Sequence, residues 1–64
     1  MRTRDIPDYI IAIVKRARAL GYKYEVIASY FVINQGRIAD IMKNRVGADV
    51  KPADHLPPDF PALA

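Results

Sequence analysis

Between positions 34 and 45 the chain gathers Asn34, Gln35, Arg37, Asp40, Lys43, Asn44 and Arg45, seven hydrogen-bonding or charged side chains in twelve residues. Carboxamides donate and accept hydrogen bonds, guanidinium groups and an ammonium donate and a carboxylate accepts, but no nucleophile stands beside a base among them. Such a cluster suits recognition rather than bond-making. The other residue able to do chemistry is His55, the only histidine, next to Asp54. With no cysteine in the chain, it has no partner at metal-ligand or triad spacing. The sequence also lacks a glycine-rich phosphate loop, a nucleophile elbow and a paired-carboxylate site. The expectation is a protein that is not an enzyme and uses no cofactor or metal.

The charges are unevenly placed. Residues 1–46 hold nine of the ten Lys and Arg against Asp5, Asp8, Glu25 and Asp40, a net +5. Residues 47–64 hold Lys51 against Asp49, Asp54 and Asp59, a net −2. A basic body with an acidic tail points to a polyanionic partner for the body; the alternative is a merely solvated basic surface. The longest nearly apolar stretch, residues 9–14, is too short to cross a bilayer, and the basic N-terminus lacks the apolar core of a signal peptide. A soluble, cytoplasmic protein is expected.

The elements that must position the cluster are helices. Asp5 can accept backbone N–H bonds, Pro7 suits a first turn and Asp8 complements the dipole, which predicts a helix over residues 7–20. Ile10, Ile13, Val14, Ala17 and Leu20 recur on its inward face, and Gly21 stops it. Lys15, Arg16 and Arg18 fall on other faces, either solvated or set against phosphate. A second helix reads over residues 24–32, and Asn34 caps a third over residues 35–44 with Ile38, Ile41 and Met42 inward. Beyond Gly47, Pro52, Pro57, Pro58 and Pro61 forbid a helix and disfavour strand pairing. The expected division is a helical domain over residues 1–46 and an extended or disordered proline-rich tail over residues 47–64, whose Leu56, Phe60 and Leu63 could dock onto a helical body. Sixty-four residues without a disulfide leave a marginal core, which favours a dimer.

Residues 24–43 carry a further pattern. Two short helices that cross steeply over a tight turn need one small residue where their backbones approach, and Ala28 is placed there. Ile27, Phe31, Ile33, Ile38 and Ile41 fill the wedge between them. With this spacing the segment resembles the helix-turn-helix DNA-binding domains of small phage and bacterial transcriptional regulators, and Asn34-Gln35-Gly36-Arg37-Ile38 resembles the start of their recognition helix. Two positions depart from that pattern: Val32 replaces the usual turn glycine, and Lys23 replaces a Ser or Thr cap.

The resemblance implies an all-α, three-helix bundle with a helix-turn-helix core and an extended C-terminal tail. It implies sequence-specific binding of double-stranded DNA, with the third helix in the major groove. Gln35 would contact adenine, Arg37 guanine or a phosphate, and Gly36 would allow close backbone approach. Asp40 would accept from cytosine or orient Arg37, while Lys43, Asn44 and Arg45 would meet phosphates. Arg2 and Arg4 would form a minor-groove arm. A nucleoid-associated regulator such as a repressor, acting as a homodimer with the tail packing across the dimer or against a protein partner, is the expected function. The alternative is a small helical protein-interaction module acting as an accessory subunit.

Overall fold

The computed structural model of the chain describes residues 6–63. They form three helices, α1 (Asp8–Leu20), α2 (Tyr24–Phe31) and α3 (Gln35–Met42), with no strand among the described residues. None of these helices is long and apolar enough to cross a membrane.

Pro7 flanks α1 rather than opening it: its extended backbone (φ −59°, ψ 149°) directs its carbonyl to the Ile10 and Ile11 amides, both at 3.1 Å. Asp5, expected to cap this end, lies outside the described residues. The inward row of α1 is Ile11, Val14 and Ala17, all fully buried. Of the expected row, Ile10 and Ile13 are half-buried and Leu20 is exposed. The reason is a second neighbour. Tyr9, Ala12 and Ile13 line a groove with Ala53, Leu56, Pro57 and Pro58 from the tail. Ile11 therefore takes the centre of the helix-facing stripe, and Ile13 turns towards the tail.

All three helices end in the same way. One residue in the left-handed region donates its amide back three positions, and the next residue donates five positions back, which is the Schellman closure. Gly21 (φ 101°) donates to Arg18 O at 3.1 Å and Tyr22 to Ala17 O at 3.0 Å. Val32 (φ 56°) donates to Ser29 O at 3.3 Å and Ile33 to Ala28 O at 2.9 Å. Asn44 (φ 61°) donates to Ile41 O at 3.1 Å and Arg45 to Asp40 O at 2.9 Å. These closures end α3 at Met42, short of the expected residue 44, and Met42 itself lies on the exposed side rather than inward.

Ile11, Val14, Ile27, Ile38 and Ile41 are fully buried where the helices meet. Three helices of 13, 8 and 8 residues do not cover that core alone. The chain after α3 folds back across α1 and α2 without forming helix or strand. Gly47 sits against Ile11, and a Cβ on it would stand 2.7 and 2.9 Å from two Ile11 carbons. The Lys15 ammonium donates to Gly47 O at 2.7 Å and Val50 O at 2.6 Å. The Ala53 amide then donates to Ala12 O at 2.9 Å.

Further on, the Phe60 ring enters a cluster with Tyr22 (centroids 5.1 Å, edge-on), Tyr30 (4.5 Å) and Phe31 (6.4 Å). The Tyr22 hydroxyl donates to Pro61 O and the Tyr30 hydroxyl to the Asp59 carboxylate, each at 2.6 Å. That carboxylate, which favours the protonated phenol, holds Tyr30 above the ordinary tyrosine value of 10.0. Leu56 and Phe60 thus pack on their own body, whereas Leu63 stays exposed.

Gly47 is held by two constraints, a φ of +66° and the Ile11 side chain, whereas Gly21 (φ +101°) has open space around it. Gly47→Ala should cost about 2–4 kcal/mol, from backbone strain plus overpacking, and Gly21→Ala about 1–2 kcal/mol from strain alone. Urea midpoints of the two variants measure the difference. Equal losses would mean that the Ile11 contact does not fix the tail's departure.

Candidate nucleic-acid interface

The geometry of α3 follows from two residues. Ile38 and Ile41 are fully buried, three positions apart on one face. At about 100° per residue, Gly36, Ala39, Asp40 and Lys43 fall on the opposite side. Gly36 and Lys43 are exposed, and Ala39 and Asp40 half-exposed. The outward face of α3 is therefore low in relief: two small residues, one carboxylate and one ammonium.

Its N-terminus is fixed by Asn34. With extended backbone (φ −72°, ψ 140°), Asn34 accepts the Gly36 amide on its side-chain oxygen at 2.6 Å, and its carbonyl accepts the Arg37 amide at 2.9 Å. A cap of this kind stabilises a helix by about 1 kcal/mol. It also crowds Gly36, where a Cβ would stand 3.0 Å from the Asn34 oxygen. The Asn34 side-chain oxygen is consequently engaged in the fold, so a contact to a ligand would fall to its amide nitrogen.

The approach of α2 to α3 runs through Ala28, which is buried. Ile27 is fully buried beside it, and Phe31 and Ile33 pack against the same core. Lys23 precedes α2 with extended backbone and no side-chain cap. At the turn, Val32 is 88% exposed and left-handed. A β-branched side chain there is strained by about 1–2 kcal/mol, and this one recovers nothing by burial.

Of the residues expected to make contacts, Gln35, Gly36, Arg37 and Asp40 lie on α3, with Asn34 as its N-cap and Lys43 just past its last residue. Gln35 is exposed and Arg37 half-buried. Asn44 and Arg45 follow the helix end instead of extending it, with Asn44 serving as the left-handed closure. Asp40 lies 3.5 Å from Arg45, a surface ion pair of about 0–1 kcal/mol, and this pairing draws the carboxylate towards the far end of the helix. Arg2 and Arg4 lie outside the described residues.

The α1 cations are not gathered with this cluster. Lys15 holds the tail, and Arg18 donates to Tyr22 O at 2.6 Å with its guanidinium 4.7 Å from the Tyr24 ring centroid. Arg16 is half-buried, and its Nε has no hydrogen-bond partner among the described residues.

Two features escaped the sequence. Ala39 occupies the middle of the outward face; alternation of its neighbours Ile38 and Asp40 gave the only signal. Glu25 and Ser29, four apart on α2, line an open cleft with Val32, Ile33, Asn34 and Gln35, so α2 borders the tip of α3. His55 is exposed in the tail, and no group of three potential metal ligands occurs among the described residues.

Because Val32 carries strain without burial, Val32→Gly should stabilise the fold by about 0.5–1 kcal/mol, the relief being partly offset by a freer unfolded chain. Thermal melts of the two proteins measure this; an equal or lower midpoint for the glycine variant would show that the valine side chain contributes a contact of its own. No protein-family model matches the chain, and no curated protein or solved structure matches it either.

Proposed function

We propose that the chain binds double-stranded DNA sequence-specifically, with α3 as a major-groove recognition helix in a helix-turn-helix head and the chain after Gly47 as its bracing tail. The observation that carries this reading is the outward face of α3, small at Gly36 and Ala39, polar at Asp40 and Lys43, and backed by the buried Ile38 and Ile41. A helix of eight residues is about 12 Å long, a length that fits within the groove. Its low relief lets the backbone come close to base edges.

The roles follow from hydrogen-bonding capacity. Gln35 pairs with adenine, Arg37 with guanine or a phosphate, and Ala39 offers a methyl surface to thymine. Asp40 accepts from a cytosine amino group when it parts from Arg45. Lys43 and Arg45 contact phosphates, with Asn44 between them, and Arg2 and Arg4 reach the minor groove. A homodimer presents two such helices about 34 Å apart over a palindromic site, which compensates for the small area of one head. Occupying the groove in this way suits a repressor of bacterial or phage type acting at the nucleoid.

One observation favours a second reading, an accessory subunit that docks a polypeptide. Val32 projects into solvent beside the cleft bordered by Glu25 and Ser29, where an apolar contact would reward the strained turn.

Arg37→Ala with Lys43→Ala separates the two. Under DNA binding, the double variant weakens duplex affinity at least about tenfold and lowers the slope of log K against log salt by about 2, since each lost phosphate contact releases one fewer counterion. Fluorescence anisotropy across a salt series measures both. A wild-type protein with no salt-dependent duplex binding rules the first reading out.

A further inference from the structure

We propose, resting on the duplex-binding reading of α3, that Val32 is a specificity-determining residue of that face. Its isopropyl group would sit against the 5-methyl group of a thymine at or next to the base pair that Gln35 reads. Val32 is the most exposed large apolar side chain among the described residues, at 88% against 61% for Tyr9. It also holds the left-handed conformation (φ 56°) that a glycine holds at the end of α1. The closure of α2 does not need this side chain. The Val32 and Ile33 amides make the two closing bonds, to Ser29 O and Ala28 O. The apolar contact that accompanies such a closure comes from Ile33, which packs on the core. A strained, β-branched residue that the fold does not repay points to a role outside the fold.

The placement of Val32 says what that role is. It lines one open cleft with Asn34 and Gln35, the cap and first residue of α3, and with Glu25 and Ser29 of α2. A surface that engages Gln35 therefore passes over Val32. Glu25 decides which part of a duplex this is. Its carboxylate repels a phosphate but can accept from the amino group of a base, so the rim suits base edges rather than backbone. In the major groove an A·T pair shows the adenine N7 and amino group together with the thymine methyl. Gln35 has the carboxamide that pairs with the adenine edge, and the methyl is left for an apolar neighbour. Val32 is that neighbour. Cytosine carries no such methyl, so the contact selects A·T over G·C at the start of the site.

The duplex enriched from a random pool by the wild-type protein is the probe. Each of its thymines is replaced in turn by uracil, which lacks only the 5-methyl group. Fluorescence anisotropy at fixed salt should find one or two adjacent positions where uracil weakens wild-type binding about fourfold, the factor set by one buried methyl group. Val32→Ala and Val32→Gly, checked as folded by thermal melts, should bind the thymine duplex about fourfold more weakly. At those same positions they should show no uracil penalty, because the two changes remove one contact.

Wild-type binding that is indifferent to uracil at every position overturns the inference. So does a set of uracil penalties that all persist in both variants, since the methyl contacts would then belong to Ala39. Weaker binding by the variants with an unchanged uracil profile also overturns it, because the side chain would then act through the turn. These three results leave duplex binding standing. A wild-type protein that enriches no duplex and shows no salt-dependent binding removes both.

Discussion

The insertion of Phe60 among Tyr22, Tyr30 and Phe31 is the interaction on which the rest of the fold depends. Helices of 13, 8 and 8 residues are at or below the length at which a helix holds in water by itself. Their stability must come from packing, and a chain with no cysteine has no covalent staple. The tail fills that role. Each aromatic pair adds about 0.5–1.5 kcal/mol beyond the area it buries, and two tyrosine hydroxyls fasten the segment on either side of the ring. Lys15 extends the same fastening to the start of the tail, so the chain after α3 is held at both ends.

That closure lets α3 turn outward. Ile38 and Ile41 are committed to the core that the tail helps to cover, and Gly36, Ala39, Asp40 and Lys43 are left on the other side. The left-handed closures do the corresponding work along the backbone: each ends a helix within two residues and turns the chain sharply out of it. Glycine and asparagine adopt this conformation at Gly21 and Asn44 with little cost, whereas Val32 adopts it against its own preference. The strain sits at the turn between α2 and α3, where the crossing of the two helices is decided.

The three helices were legible in the sequence because their punctuation is local: Pro7 and Asp8 at a start, Gly21 at a stop, Asn34 as a cap. So was the wedge of Ala28, Ile27, Ile38 and Ile41, whose periodicity has one solution. The register of α1 was less clear, since Ile10, Ile11, Ile13 and Val14 are all apolar and only the tail's position decides which pair turns inward. Lys15 read as a surface cation because the carbonyls it binds lie 32 and 35 residues away, and Arg18 because the Tyr22 carbonyl comes within its reach only once the chain turns at Gly21. Asn44 read as a helical polar residue because a left-handed asparagine leaves no mark in spacing. The tail's prolines showed what it could not be, but its docking rests on pairing Phe60 with rings 29 to 38 positions earlier, which no local pattern encodes. Ala39 went unnoticed because an alanine on a helix carries no chemistry until the opposite face is known to be buried.

In the proposed function the outward face of α3 meets a polyanion, with the tail as a brace behind it. Amide chemical-shift mapping during titration of the full-length protein with a duplex at low salt tests it most directly. Perturbations should concentrate at Gln35, Gly36, Arg37, Ala39, Asp40 and Lys43, while Ala53 to Leu63 shift little. Perturbations centred on the tail, on α1 or on the Tyr22–Phe60 cluster, with α3 unmoved, would contradict it.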